Sequence, residues 1–512
     1  MLIPLLVLGL PGLWLAWSIF SALWSPLRSI PGSFLSRFTD GWYLWRILHR
    51  KFQVEQIELH RKYGPIVRLG PKRFSFADAD ALKTIYGHGI EFRKSKWYSA
   101  FNVPNPHSTG QENIFTERDP KLHAQQRKQL TNMYSMSGLM SCEPYVDECT
   151  DLFAQRLTEF ARAGNAIDMG HWLQCFSFDA IGLITSGDRY GFLDYGDDIR
   201  GIMGEIEAGV KYSVAAGIYP RLHQWLNKLL TLVPKRAPSG LDCVLAFAEA
   251  KIAEFEKNGS STPTTQKHSG QTFFAKMFNK QRENPKEFTS YHILTAAVSN
   301  IGAGSDTTSI ALSSILYYLI KHPRCMTALR EEIDNAQRLG LLSARPKFNE
   351  SQDMPYFQAV IKESMRLHPS IQLPYERIVP DGGATISGRF FPAGTTVSVN
   401  PYVEHRIESV WGEDAEEFRP ERWLISNKDQ LALMNRHWIP FGTGSRTCLG
   451  KNVSLLEIHK LVLRIVRDFD FKFKEGSNEN WETENFWIAK PKGWQVEVSI
   501  RGKGVNEGTM TD

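Results

Sequence analysis

The 512-residue sequence predicts a mostly helical protein with small β-sheets and one N-terminal transmembrane helix. Three observations predict this: a charge-free start, long windows with helical spacing, and few short β-rich runs. The start comes first. No charged side chain occurs from Met1 to Leu27, and the first charge is Arg28. A span of about 20 apolar residues crosses a bilayer core. A secretory signal would have a basic start and a small-residue cleavage site. This segment has neither, so a cleaved signal peptide is the lesser reading. Trp14, Trp17 and Trp24 suit membrane interfaces, and Arg28, Arg37, Arg46, Arg50 and Lys51 favour a cytoplasmic body. Ile30-Pro31-Gly32 reads as a stiff turn. The organisation is therefore an anchor over 1–27, a hinge over 28–40 and one catalytic domain over 41–512.

The body carries 60 basic and 55 acidic residues, a net +5 for the whole chain, which points to no nucleic-acid partner. Its six cysteines form no CxxC pair, so neither structural zinc nor a disulfide framework is expected. Helical spacing covers Pro144 to Ala163, Asp242 to Glu256 and Arg324 to Leu339. "PIVRLG" near 66, "TTVSVN" near 396 and "FDFKF" near 471 read as strands. The polar run Lys257 to Gly270 reads as a surface loop between helices.

Two helices carry unusual features. The first spans Tyr291 to His322 and ends before Pro323. Between Glu287 and Lys321 its only formal charge is Asp306, set in "AGSDTT". A charge in a core helix is costly unless paired or functional. Gly302 and Gly304 remove bulk, so a flat group can approach, and the Ser and Thr side chains can bond back to carbonyls and loosen the helix. A kinked helix with a paired Asp is the plainer reading. The second, "PYFQAVIKESMRLHP", starts and stops at prolines and puts Glu363 and Arg366 on one face.

"FGTGSRTCLG", Phe441 to Gly450, holds a lone cysteine among glycines. Most lone cysteines are inert core residues. Haem iron, however, needs a single axial sulfur from the protein. Gly442, Gly444 and Gly450 permit the tight wrapping that brings backbone N–H groups to Cys448. A helix starting near Leu449 would add partial positive charge and favour a thiolate.

These residues resemble the cytochromes P450. Phe441, Gly442, Gly444, Arg446, Cys448 and Gly450 match that family's cysteine loop. "AGSDTT" resembles its oxygen-activation segment, "ESMR" its ExxR helix, and "FRPERW" the segment that brings Arg422 to the ExxR pair. The resemblance runs from about residue 31 to the C-terminus and implies the P450 fold. It assigns Cys448 as the iron ligand, Phe441 as a cover on the sulfur side, and Asp306 and Thr307 as a proton relay. Glu363, Arg366 and Arg422 become a structural triad. His123 and Arg127 in "HAQQRKQ", Arg377 in "PYERIV" and Arg446 become partners of the haem propionates. His123 stands where many relatives have tryptophan.

The function so implied is a haem monooxygenase that oxidises a lipophilic small molecule. The overall texture resembles the fungal secondary-metabolism group near pisatin demethylase, so a polyketide, terpenoid or alkaloid intermediate is expected. Asn300, Ile301, Ala303, Leu373 and Phe486 are the expected substrate contacts. Electrons are expected from a separate NADPH-cytochrome P450 reductase, with cytochrome b5 as a second donor. The protein is expected in the endoplasmic reticulum membrane, single-pass, its catalytic domain facing the cytoplasm. The rivals are a P450-fold isomerase or dehydratase that uses no O2, and a non-enzymatic haem sensor.

Overall fold

The computed structural model describes residues 12–13, 16–87, 89, 92–103, 112–223, 225, 240–257, 271–476 and 480–502. Its longer helices are α1 (Gly41–Leu48), α2 (Phe52–Tyr63), α3 (Ala79–Tyr86), α4 (Pro120–Leu130), α5 (Glu143–Ala163), α6 (Met169–Ser186), α7 (Ile202–Ile218), α8 (Gly240–Lys257) and α9 (Phe273–Glu283). The central helix α10 runs as Ser290–Ser299, a π-helical turn Asn300–Gly304, then Ser305–Lys321. After it come α11 (Pro323–Arg338), α12 (Pro355–Leu367), α13 (Lys428–His437) and α14 (Lys451–Asp468). The strands are β1 (Ile66–Gly70), β2 (Arg73–Phe76), β3 (Arg93–Lys94), β4 (Ile167–Asp168), β5 (Arg377–Ile378), β6 (Ala384–Ile386), β7 (Arg389–Phe391), β8 (Thr396–Val399), β9 (Phe469–Phe473), β10 (Glu482–Phe486), β11 (Ile488–Lys492) and β12 (Gln495–Ile500). The helices and strands expected from pattern all form, within a residue or two of their expected ends.

The main sheet has the order β1-β2-β8-β5-β3. β2 and β8 are parallel, with Phe76 opposite Val399. Their alternation sorts two faces. Phe74, Phe76, Val397 and Val399 join one apolar cluster with Phe391. On the other face Ser75 accepts from Gln56 and meets His60, so its buried hydroxyl is satisfied. β12 pairs with both β9 and β4, and β10 with β11 as a hairpin.

The helical core packs α10 against α6, α12 and α14. Gly304 is needed there: a Cβ would stand 3.1 Å from Ile181 Cγ1 on α6. Ser305 and Thr307 each donate to the carbonyl four residues back, Ile301 and Ala303. These bonds sit on the π-turn, so the loosening expected from sequence takes the form of one extra residue in the ladder.

The expected anchor is only partly described: residues 1–11, 14 and 15 lie outside the described residues, as do 258–270 of the expected polar loop. Residues 16–24 are helical, and Trp17 and Trp24 are exposed. Among the described residues no helix is long and apolar enough to cross a membrane.

Helix α12 is capped from outside. Glu332 of α11 accepts from the N–H groups of Tyr356 and Phe357. This satisfies two donors that a helix start leaves open. Toward its other end, Glu363 is fully buried and saturated. Arg366 donates to both of its oxygens, at 2.8 and 2.9 Å. Arg422 Nε, Trp423 Nε1 and the Arg419 N–H donate as well, at 2.7, 2.9 and 3.1 Å. Arg366 also donates to the carbonyls of His405, Ala415 and Glu417. Burial alone would raise the carboxyl pKa; the two guanidinium groups outweigh it and hold Glu363 below the usual range.

A group with a depressed folded pKa stabilises the protein above its unfolded pKa and loses that contribution as pH falls. Glu363→Gln should therefore destabilise the protein by about 3–5 kcal/mol at pH 7, because it leaves two buried cations short of an anion. The deficit should shrink below pH 4. Thermal denaturation of both proteins at the two pH values checks this. An equal deficit at both would refute the charge-based account.

Candidate active site

The Cys448 loop is built by three local constraints. Gly442 and Gly444 hold φ of 69° and 67°, the left-handed region that favours glycine. At Gly444 a Cβ would come 1.9 Å from the Tyr86 carbonyl oxygen, so the loop lies directly on the end of α3. The Cys448 N–H donates to the Phe441 carbonyl at 2.8 Å and closes the loop. Gly450 differs from the sequence expectation. Its φ is −79°, so no left-handed turn is needed there. A Cβ on it would lie in ordinary contact with Sγ, at 3.9 Å.

Burial pushes the Cys448 thiol up; the N–H of Gly450, Arg127 and the N–H of Lys451 oppose it. Those N–H groups belong to the first turn of α14, where the helix dipole favours negative charge. The Cys448 side chain is exposed, so the sulfur can take a ligand from outside its own loop. Phe441, half-buried, packs edge-on to Trp438 in the same loop.

Across from α14 lies α10, joined to it where Thr308 donates to Ser454 at 3.0 Å. Within this largely buried helix Ala303 is exposed, and a Cβ on Gly302 would meet nothing within 4 Å. Thr307 is partly open beside them. Small or absent side chains on one element and an open thiol on the next leave room for a flat group.

The other side of that space is cationic. Arg127 donates to the Thr447 carbonyl, Arg446 to that of Glu117 and Arg377 to that of Glu376. Lys94 of β3 donates to the Phe115 carbonyl and lies over the Tyr98 and Phe115 rings. None of the four makes an ion pair with a carboxylate among the described residues. Burial first, then Arg377 and Arg446, pushes Lys94 well below the usual lysine range. Burial and the same cations lower His123 to about 3. Beside these cations alone His123 is thus neutral at ordinary pH. Lys94 and Arg446 feel Glu112 and Glu117 as well as one another, but none of the four cations has a carboxylate in ion-pair range among the described residues, and two carboxylates of a bound group would suit this rim. The donor set therefore fits haem: one thiolate, a flat space and a cationic rim. Lys94 was missed by sequence reasoning. It lies in no motif, and only the β3–β5 pairing, Lys94 opposite Arg377, brings it there.

Asp306 is buried, accepts from Gln174 of α6 and pairs with Lys490 of β11 at 3.3 Å. Burial raises its pKa and Lys490 opposes that. The expected substrate contacts divide. Ala303 is open. Asn300 is not: it accepts from Tyr134 OH at 2.7 Å and donates to Thr185 at 3.0 Å, in a closed polar network. Ile301 is buried in the main core. The π-turn rotates both away from the open face. Leu373 packs beside Trp97 and Trp487, and Phe486 lines a separate opening next to Asp306.

Lys94→Met should act with opposite signs in the two states of the protein. Without haem it removes a buried amine whose charged form burial, Arg377 and Arg446 disfavour, so the melting temperature should rise. With haem it removes a charge-assisted contact, about 1.5–3 kcal/mol, and haem transfer to an acceptor protein should speed up roughly tenfold or more. A variant that loses stability in both states would show a packing role instead.

Comparison with known proteins agrees with this geometry. The family model described as Cytochrome P450 matches residues 35–498. Pisatin demethylase of Fusarium vanettenii is 37% identical over 479 residues, 93% of this chain and 91% of that protein. Cytochrome P450 monooxygenase cicH of Emericella nidulans is 36% identical over 93% of this chain and 94% of its own length. Cytochrome P450 monooxygenase gsfF of Penicillium aethiopicum is 32% identical over 96% and 97%. Agreement over nearly the whole length excludes a shared motif on an unrelated fold, and the chain therefore belongs to the cytochrome P450 family of haem-thiolate monooxygenases.

Proposed function

We propose that this monooxygenase oxidises a lipophilic secondary-metabolite intermediate, with electrons from a separate NADPH-cytochrome P450 reductase. What supports the reading is the exposed Cys448 at the start of α14 and the open Ala303 and Thr307 of α10, two helices joined by the Thr308–Ser454 bond, with buried Asp306 directly before the threonine. When bound, haem supplies O2 activation, aided by sulfur donation. The chain's own residues do the rest. The α14 N–H groups and Arg127 oppose the effect of burial on Cys448 and would favour its thiolate as an iron ligand. Arg127, Arg377, Arg446, Lys94 and His123 would hold the propionates. Thr307 and Asp306 hold and pass protons, a general-acid role. Ala303 and Gly302 leave room for the substrate, and the relatives' printed names favour a fungal natural product. This support for a proton relay weighs against an isomerase that needs none.

Deleting the gene and identifying the metabolite that accumulates would name the substrate. With that compound and purified reductase, Thr307→Ala should keep haem but lower product per NADPH several-fold, with hydrogen peroxide rising in step. Unchanged product yield would remove the relay and favour the isomerase reading.

We also propose that residues 1–27 anchor the protein to the endoplasmic reticulum, its body in the cytoplasm. The support is the charge-free run and the exposed Trp17 and Trp24 at its end. Removing 1–27 should release most of the protein from carbonate-washed membranes with haem content unchanged. Full retention would refute a single-pass anchor.

A further inference from the structure

The relay acid is not isolated. Lys490 reaches Asp306 Oδ1 at 3.3 Å and Glu207 Oε2 of α7 at 3.4 Å. Glu207 in turn takes Lys211 at 2.6 Å and Lys492 at 3.3 Å. Lys211 lies 3.8 Å from Glu484 of β10, which pairs with Arg50. An alternating row of charges thus leads from a fully buried carboxylate to exposed side chains. It does not run through solid protein. Asp306, Lys490, Glu207, Lys211, Glu484 and Phe486 all border one narrow opening with room for about one water, roughly 20 Å³.

The charges along the row are unequal in their freedom. Burial would raise Glu207, but Lys211, Lys490 and Lys492 outweigh it and lower it to about 2. Glu207 is therefore a fixed anion across the working pH range. Lys490 is pushed above the usual lysine range by its two acids, despite burial, so it is a fixed cation. Asp306 is the one member poised to change. The charged groups facing it are Lys490 on β11 and Glu207 on α7; from α6 it meets only the neutral Gln174.

We propose that Lys490, anchored from behind by Glu207, is the positioning residue of Asp306: it keeps the relay carboxylate charged and turned to the opening through which protons arrive. This rests on the relay reading above. It assigns a role to two residues outside every motif of the sequence. It also ties proton supply to the seating of α7 and the β10–β11 hairpin, since moving either would carry Glu207 or Lys490 away.

The test reads the carboxyl directly. Difference infrared spectra of aspartate-labelled holoprotein are recorded against pH for wild type, Lys490→Met, Lys490→Arg and Glu207→Gln. Removing the cation should raise the proton affinity of one aspartate about tenfold or more. A protonated-carboxyl band should then be present at pH 7 in Lys490→Met and absent in Lys490→Met/Asp306→Asn. Lys490→Arg should restore the wild-type titration, and Glu207→Gln should give a smaller shift in the same direction. A wild-type titration in Lys490→Met, or an equal shift in Lys490→Arg, overturns the proposal. NADPH oxidation with purified reductase and no added substrate tests the premise separately. Asp306→Asn should slow it, and Lys490→Met should follow. If Asp306→Asn leaves that rate unchanged, the relay reading falls and takes the proposal's functional part with it, whatever the infrared band does.

Discussion

The catalytic loop depends on one buried anion. Glu363 neutralises two guanidinium groups that could not otherwise be inside the fold, and each guanidinium then gathers backbone carbonyls. Arg366 holds the His405 carbonyl, and His405 Nδ1 donates back to the Arg366 carbonyl. The other ring nitrogen of His405 accepts from the Ile439 N–H at 2.9 Å. Gly442 donates to the Ile439 carbonyl and Cys448 to that of Phe441. These bonds form a connected line from the triad to the sulfur loop. Buried ion pairs stabilise little when compared with apolar packing. Here the pair gives geometry: it fixes where a long irregular segment must lie.

The central helix works by contrast. It is largely buried, yet its middle turn carries Gly302, Ala303 and Gly304. Gly304 permits contact with α6, and Gly302 leaves the opposite face open. The π-turn between them rotates Asn300 and Ile301 into the protein and Ala303 outward. One extra residue in the hydrogen-bond ladder thereby sets which side chains can meet a substrate. Asp306, just beyond that turn, points to a different neighbourhood and answers to charges on β11 and α7.

Two electrostatic environments flank the internal space, and they are opposite in kind. Around Lys94, Arg127, Arg377 and Arg446 no carboxylate of the described residues stands in ion-pair range, and the rim suits the anionic groups of haem. Around Asp306 every charge has a partner, and the row reaches the surface. The first environment is built to hold a group permanently. The second can let protons in without exposing the carboxylate.

Much of this was legible in the sequence because local rules wrote it. Prolines and helical spacing marked α10, α11 and α12, glycines marked the sulfur loop, and four ordered motifs marked the family. Cys448 could be assigned from its neighbours because the cradle comes from its own loop and the helix that follows. What the sequence could not carry were contacts between elements far apart along the chain. Lys94 joins the cationic rim only through strand pairing, and Lys490 meets Asp306 only because a C-terminal hairpin docks beside the central helix. Asn300 and Ile301 were expected at the substrate from the family resemblance; in the structure Asn300 lies in a closed polar network with Tyr134 and Thr185, and Ile301 in the main core. Sequence determined the elements and the ligand; tertiary structure decided which charges meet, because burial and pairing depend on neighbours that no local pattern encodes.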